Sequence, residues 1–229
     1  MGKYCFGVDV GGTTVKLGLF NTSGDLMEKW EIPTVTEDDG KAILPDCAKS
    51  ILKKMNEREM DRTEVVGVGI GAPGPIDSEG TLYGAVNLGW GTMSLKKELQ
   101  TLLNMPVEAG NDANVAALGE AWQGGAKGYE DVVVVTLGTG VGGGIILDGK
   151  IFHGFSNSAC EVGYMHLDGG EFQDLGAASI LTKKVAKRKQ ESESGWNGYH
   201  IFESAKQGDE TCIQAIDEMA DVLGKGISN

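Results

Sequence analysis

Residues 4–20 read Tyr-Cys-Phe-Gly-Val-Asp-Val-Gly-Gly-Thr-Thr-Val-Lys-Leu-Gly-Leu-Phe. The apolar start predicts a buried strand, residues 11–14 predict a tight turn, and the alternation over 15–20 predicts a second strand. A third strand is expected over 26–32, so the chain opens as an antiparallel meander. This differs from a dinucleotide-binding fold, in which the glycine turn opens a helix.

The same pattern returns in the second half of the chain. Residues 132–136 predict a buried strand, 138–144 a glycine turn and 145–147 a return strand. Because residues 8–20 and 134–147 share this strand-turn-strand pattern, they indicate an internal repeat. We expect two similar lobes with a cleft between them, an N-terminal lobe of residues 1–123 and a C-terminal lobe of residues 124–229. The glycines of 124–128 are the expected hinge, since glycine absorbs large dihedral changes.

The rest of the chain alternates strands with amphipathic helices. Apolar residues at helical spacing predict helices over 39–58, 94–103, 113–123, 177–189, 201–206 and 211–224. Unbroken apolar runs predict strands over 65–70 and 106–109. Strands alternating with helices indicate an α/β protein.

Composition excludes several classes of protein. The chain has 20 basic and 33 acidic residues and a net charge of −13, which argues against binding to nucleic acid. No apolar stretch approaches the ~20 residues that a membrane span needs, so we expect a cytoplasmic protein. The four cysteines are far apart and form no CxxC pair, so neither a disulfide framework nor a zinc cluster is indicated.

The stretch Gly110-Asn-Asp-Ala-Asn places one carboxylate, Asp112, between two carboxamides, Asn111 and Asn114. It lies where a predicted strand gives way to a helix, and such junctions present side chains to a cleft. This pattern favours a general base beside a polyol-binding site. The alternative is that Asp112 only caps the helix.

The turns at 11–14 and 138–140 can both cradle phosphates. Glycines let backbone N–H groups approach an anion closely, and threonine hydroxyls add donors. Neither turn matches the GxxxxGK[ST] motif, and each alone is also compatible with a plain hairpin. Asp9, directly before the first turn, could hold hydrated magnesium.

Five motifs occur in a family-specific order. They are Asp9-Val-Gly-Gly-Thr-Thr, Gly71-Ala-Pro-Gly, Asn87-Leu-Gly-Trp, Asn111-Asp-Ala-Asn and Leu137-Gly-Thr-Gly-Val-Gly-Gly-Gly. In these motifs the chain resembles bacterial glucokinases of the ROK family, from residue 4 to about residue 170. The resemblance implies an α/β, two-lobed actin-like ATPase (ribonuclease H-like) fold, each lobe being a mixed sheet flanked by helices. It also implies a homodimer that transfers a phosphoryl group from ATP to the 6-hydroxyl of a hexose, with glucose to glucose 6-phosphate as the expected reaction.

The resemblance assigns roles by position. Asp112 resembles the family's catalytic base. The sugar-binding set that it implies is Asn87, Asn111, Asp112, Glu161 and Glu171. The set for ATP is Asp9, Gly11, Gly12, Thr13, Thr14, Lys16, Gly138, Thr139 and Gly140, with Mg²⁺ held at Asp9 through water.

One departure from the family lies in residues 160–173. Where the glucokinases carry Gly-Glu-Ile-Gly-His followed by a cysteine-rich zinc loop, residues 160–164 read Cys-Glu-Val-Gly-Tyr and the loop is missing. Tyr164 stands at the position of the metal-binding histidine, so we expect no zinc site. Glu171 falls where the last sugar-binding glutamate would follow that loop. Members with a shortened loop phosphorylate other sugars, so an N-acetylated hexose, fructose, mannose or a β-glucoside stays open as the substrate.

A second departure is at the end of the sequence. Family members continue past the helix over 208–227 into a strand and an adenosine-binding turn, so we expect an incomplete C-terminal lobe and weak nucleotide affinity for a chain that ends at Asn229. A non-catalytic sugar-binding protein is therefore an alternative. A sugar-responsive repressor is disfavoured by the acidic charge and by the three residues ahead of Tyr4, which leave no room for a helix-turn-helix domain.

Overall fold

The computed structural model describes residues 2–229, and its first half is built on a five-stranded sheet of order β3-β2-β1-β4-β7. Its strands are β1 (Tyr4–Val10), β2 (Thr14–Asn21), β3 (Leu26–Pro33), β4 (Val65–Ala72) and β7 (Val107–Asn111). The first three strands form an antiparallel meander, whereas β4 runs parallel to β1 and β7 parallel to β4. The short strands β5 (Thr81–Leu82) and β6 (Met93–Ser94) pair separately.

The first core lies between this sheet and the helices α1 (Ile43–Glu57) and α2 (Leu95–Leu103). Helix α1 buries Ile43, Cys47, Ile51 and Met55, which recur every four residues and form one apolar stripe. Each fully buried aliphatic side chain contributes about 1.5–3 kcal/mol.

The helix predicted over 39–58 begins later than expected. Asp38 and Asp39 take positive φ angles of 51° and 57°, and residues 38–40 form a 3₁₀ turn before α1 starts at Ile43. Positive φ is incompatible with a right-handed helix. The apolar spacing alone did not reveal this break.

The second sheet has the order β10-β9-β8, formed by β8 (Val132–Leu137), β9 (Val141–Leu147) and β10 (Lys150–Ile151). Like β1–β3, it is an antiparallel meander with a glycine turn between its first two strands, which confirms the predicted repeat. The expectation of a mixed sheet holds for the first sheet, whereas the second is antiparallel. The glycine turn predicted over 138–144 covers only 138–140, because residues 141–144 already pair with β8.

Helix α3 (Asp112–Gln123) lies between the two sheets. A Cβ placed on Gly71 of β4 would be 2.7 Å from the Cγ2 of Val115, and one on Gly144 of β9 would be 2.5 Å from the Cβ of Ala117. The helix predicted for the N-terminal lobe therefore also packs on the second sheet, and Gly124 ends it. The boundary between residues 123 and 124 and the hinge stay predictions.

The remaining elements follow the second sheet. A hairpin of β11 (His166–Leu167) and β12 (Gly170–Glu171) leads into α4 (Phe172–Gly176), followed by α5 (Ala178–Lys189), α6 (Gly198–Lys206) and α7 (Glu210–Ser228). Helices α5 to α7 share a core of Leu181, Val185, Ile201, Cys212, Ala215 and Met219. Across residues 2–229, no helix combines the length and the apolar character that crossing a bilayer requires.

Candidate active site

The carboxyl ends of three parallel strands bring Asp9 and Asp112 to one edge of the first sheet. Asp9 is in register with Gly71 of β4, and Gly71 is in register with Gly110 of β7. Asp112 follows Gly110 by two residues, and a Cβ placed on Gly71 would lie 3.6 Å from the Cα of Asp112. The two predicted acidic residues therefore flank the end of β4.

The cap of α3 is Asn111, which leaves Asp112 free for another role. The Oδ1 of Asn111 accepts a hydrogen bond from the backbone N–H of Asn114 at 3.1 Å, and its Nδ2 donates to the Gly74 carbonyl at 3.2 Å. One lone pair of the carboxamide oxygen stays available for a ligand. Asn114, expected beside Asp112 in the cleft, is instead buried, with 5% of its surface exposed.

The electrostatics of Asp112 suit a proton acceptor. Burial raises the pKa of Asp112, and the charge of Asp9 raises it further, while the Ala113 N–H that donates to Oδ1 at 2.8 Å opposes the shift. A carboxylate with a raised pKa holds a proton better near neutral pH, which is what a general base needs.

Glu161 lies within electrostatic reach of Asp112. Partial desolvation raises the pKa of Glu161 although the residue is exposed, and the charge of Asp112 raises it further. Asp9, Asp112 and Glu161, three residues from distant parts of the sequence, are therefore close enough for their charges to interact.

Asn87 meets the first glycine turn. It lies in a 3₁₀ turn (Val86–Leu88), and a Cβ placed on Gly12 would be 3.6 Å from its Nδ2. Leu88 is fully buried behind it, and the indole N–H of Trp90 donates to the Gly40 carbonyl at 3.1 Å. Leu88 and Trp90 thus hold the loop in place. Asn87, predicted to bind the sugar, lies beside the glycine turn of residues 11–14, predicted to bind phosphate.

Two hydrogen bonds from Thr34, the residue after β3, also fix the first glycine turn. The hydroxyl of Thr34 donates to the Gly11 carbonyl at 2.7 Å, and the N–H of Thr34 donates to the Thr13 carbonyl at 3.0 Å. Lys16 lies opposite Asp9 in β2, with its Nζ 3.8 Å from the Asp9 carboxylate. Both side chains are exposed, so this pair is weak and leaves Asp9 accessible.

The second turn is held by the start of α5. The N–H of Gly138 donates to the Gly140 carbonyl at 3.0 Å. The Ser179 N–H donates to the Gly138 carbonyl at 3.2 Å, and the Ser179 hydroxyl donates to the Thr139 carbonyl at 2.7 Å. Gly138 and Thr139 are exposed, as a phosphate-binding turn requires. Sequence reasoning did not single out Ser179, since nothing local signals its contact with this turn.

Strand β9 leads from the second turn directly past Asp112. A Cβ placed on Gly142 would lie 3.2 Å from the Cβ of Ala113, the residue after Asp112. The strand that follows the second turn therefore packs against the start of α3, next to Asp112.

Residues 160–173, here called the wall, begin beside β9. A Cβ placed on Gly143 of β9 would be 2.6 Å from the Sγ of Cys160, so the first residue of the wall packs directly against the second sheet. Glu161 precedes a 3₁₀ turn (Val162–Tyr164), and 62% of the Tyr164 surface is exposed. Glu171 accepts a hydrogen bond from the Nε2 of Gln173 at 3.2 Å.

Tyr164 changes the donors that the wall offers to a metal. Tyr164 offers neither the imidazole nor the thiolate that a structural zinc site uses. Within residues 2–229, no three His, Cys, Asp or Glu side chains come together as a metal-binding group. A single carboxylate that holds a hydrated cation, as predicted for Asp9, needs no such group.

Two repeated β-meanders, each with a glycine turn, in sheets flanked by helices give an α/β protein of the actin-like ATPase fold. Residues 5–229 match the ROK family, and the chain belongs to it. The glucokinase of Halalkalibacterium halodurans is 35% identical over 250 residues, which cover 99% of this chain and 76% of that protein. The xylose repressor of Caldicellulosiruptor bescii is 31% identical over 250 residues, covering 97% of this chain and 61% of that protein.

Among solved structures, a ROK family glucokinase from Streptomyces griseus in complex with glucose and AMPPNP has a TM-score of 0.84 at 30% identity. The match covers 98% of this chain and 78% of that one. The chain thus spans about three quarters of the length of the glucokinases that it matches.

Proposed function

We propose that this protein phosphorylates a hexose with ATP, converting glucose to glucose 6-phosphate, and that Asp112 is the general base. The observation that carries the proposal is the position of Asp112. It lies between the end of β4, beside Asp9, and the start of β9, which leads from the second glycine turn. The glucokinases among the relatives support a sugar as the acceptor, and the AMPPNP bound to the Streptomyces enzyme supports ATP as the donor.

In the proposed reaction the sugar hydroxyl attacks the γ-phosphorus of ATP. The oxygen–phosphorus bond forms as the bond to the ADP oxygen breaks, and the hydroxyl proton passes to the Asp112 carboxylate. The raised pKa of Asp112 favours its taking up this proton. Asn87, Asn111 and Glu161 would position the sugar, because carboxamides and carboxylates pair with hydroxyls that both donate and accept.

The two turns would hold the nucleotide through their exposed backbone, with residues 11–14 and 138–140 on opposite sides of the phosphates. Magnesium bound with ATP offsets charge on the transferring phosphoryl group. Asp9 fits this ion through water, since 57% of its side chain is exposed at the edge of the sheet.

The identity of the sugar depends on the wall. By the resemblance to glucokinases, Tyr164 stands where a zinc-binding histidine is expected. An N-acetylated hexose, fructose, mannose or a β-glucoside is therefore the second candidate for the substrate. The similarity to a xylose repressor supports a further candidate, a sugar-binding protein without catalysis.

A coupled assay of ADP release on the full-length protein separates these functions. Glucose, mannose, fructose, N-acetylglucosamine and cellobiose are each tested with ATP and Mg²⁺, with a sugar-free control for ATP hydrolysis. We expect turnover with glucose to exceed turnover with the others. Higher turnover with another sugar would identify that sugar as the substrate. No turnover with any of the sugars would support a sugar-binding protein without catalysis.

A further inference from the structure

Among residues 2–229, two buried side-chain atoms have no hydrogen-bond partner. They are the Oδ1 of Asn114, near the start of α3, and the Nδ1 of His153, two residues after the end of β10. Asn114 is 5% exposed. An unpaired buried polar atom costs stability, so folded proteins keep few of them and each calls for a physical reason.

The pairing of β9 with β10 places His153 opposite Gly144. The N–H of Phe152 donates to the Ile145 carbonyl at 2.8 Å, so the antiparallel ladder continues one step past β10. The next two positions, 153 and 144, then lie opposite each other, and residues that oppose each other across antiparallel strands point to the same face. Phe152 is 46% exposed, as expected for a side chain on the other face.

Gly144 is also the place where β9 approaches Asn114. A Cβ placed on Gly144 would be 3.3 Å from the Cα of Asn114 and 3.0 Å from the carbonyl oxygen of Ala113. The face of β9 that carries Gly144 therefore packs on the backbone of α3, and α3 contacts β10 as well. Both unpartnered atoms thus lie where α3 meets the second sheet.

The two groups are chemically complementary and belong to segments that carry proposed site residues. The Nδ1 of an imidazole donates when it carries the ring proton, and the oxygen of a carboxamide accepts. Asn114 follows Asp112 by two residues. The His153 carbonyl accepts a hydrogen bond at 3.1 Å from the N–H of Ala159, which precedes Glu161 by two residues. A bond between the two side chains would join the helix of the base to the segment of a sugar ligand.

We infer that Asn114 and His153 are positioning residues whose side chains bond to each other when α3 and the second sheet close on the sugar. The bond holds Asp112 and Glu161 in place around the sugar, and neither residue of the pair touches the reacting atoms. The inference rests on the proposed function, because it takes Asp112 as the base and Glu161 as a sugar ligand. Its consequence is that the pair contributes to sugar affinity and not to the stability of the sugar-free protein.

Five variants of the full-length protein test this role. Asn114→Leu and His153→Leu each replace one polar group with an apolar side chain, and the double variant replaces both. His153→Asn is the rescue, because an asparagine N–H donor lies near the position of Nδ1. His200→Leu is the matched control, since His200 is exposed in α6.

Calorimetry measures the affinity for glucose, or for whichever of the five sugars binds most tightly. We expect Asn114→Leu and His153→Leu each to weaken sugar binding by about 3–10-fold, the scale of one hydrogen bond. The double variant should weaken it by the same factor and not by the product of the two, because both residues share one bond. His153→Asn should bind the sugar within about 2-fold of the wild type.

Urea unfolding without sugar separates this role from a purely structural one. The urea midpoint of Asn114→Leu should not fall, because an unpaired buried acceptor has been replaced by an apolar group. A lower midpoint together with unchanged sugar affinity would show that Asn114 only supports the fold, and would overturn the inference.

Two further outcomes would overturn the inference: single effects that multiply in the double variant, and sugar affinities that match the His200→Leu control. If Asn114→Leu does not fold, the loss in His153→Leu and its recovery in His153→Asn decide the question. Because calorimetry does not require turnover, a wild type that binds sugar without turnover contradicts the kinase and leaves the pair testable. Independent effects of the two residues in an active enzyme contradict the pair alone, whereas a wild type that binds no sugar contradicts both proposals.

Discussion

Glu161 in the wall lies within electrostatic reach of Asp112 at the start of α3, and the charge of Asp112 adds to partial desolvation in raising the pKa of the exposed Glu161. The pKa of Asp112 is itself raised by burial and by Asp9. In the folded protein both carboxyl groups therefore hold their protons more tightly than in the unfolded chain. Such an arrangement costs stability at neutral pH, which is typical of a functional cleft.

The first prediction concerns stability against pH. Because the folded pKa of Asp112 is raised, the folded state binds more protons than the unfolded state, so stability falls as pH rises from the ordinary aspartate pKa through the raised one. Asp112→Asn removes this cost and should increase the free energy of unfolding at neutral pH by about 0.5–2 kcal/mol. Urea unfolding of both proteins from pH 3.5 to 8 measures the difference. A variant that is less stable than wild type at pH 8, by an amount independent of pH, would contradict the burial of Asp112.

The second prediction concerns the packing of the wall against β9. Gly143→Ala would bring a methyl group to 2.6 Å from the Sγ of Cys160 and 2.9 Å from its carbonyl oxygen, so the wall must move away from the sheet. We expect a loss of about 1–3 kcal/mol in unfolding free energy and a higher KM for the sugar, because Glu161 follows Cys160 directly.

Gly69→Ala in β4 is the control for this variant, because a Cβ there meets nothing within 4 Å. Its unfolding free energy should stay within about 0.5 kcal/mol of the wild type. Equal sugar KM values for Gly143→Ala and the wild type would show that the wall does not bind the sugar.

The third prediction concerns the anchor of α4. Gly226→Ala would place a methyl group 2.6 and 2.7 Å from ring carbons of the buried Phe172, and should cost about 1–3 kcal/mol of unfolding free energy. Gly224→Ala in the same helix meets nothing within 4 Å and should stabilise the protein by up to about 1 kcal/mol, because alanine favours helix. Thermal unfolding measures both. The same sign of change in the two variants would refute the packing of α4 on α7.

Local patterns in the sequence predicted the two meanders and most helices. Alternating apolar residues and glycine turns act over a few residues, so β1–β2 and β8–β9 could be located without a structure. That Asp9 and Asp112 lie at the same edge of one sheet was not predicted from these patterns, because it depends on the parallel pairing of β1, β4 and β7.

Contacts between distant residues could not be predicted in this way. Ser179 holds Thr139 and Trp90 holds Gly40, yet each pair is brought together only by packing of separate elements. The burial of Asn114 likewise depends on how α3 fits between two sheets rather than on its own sequence. The contacts of the wall with β9 and α4 likewise depend on packing between separate elements and could not be predicted from its own sequence.

The most direct test of the account is the turnover of Asp112→Asn with the best sugar substrate of the full-length protein, measured beside its sugar affinity. Asparagine keeps the shape of the side chain and its acceptor for the Ala113 N–H, but it cannot take up the hydroxyl proton. We predict that kcat falls by about 10²- to 10⁴-fold, the scale for losing a positioned base, while calorimetry shows sugar binding within a few-fold of the wild type. A kcat near that of the wild type would contradict the assignment of Asp112 as the base.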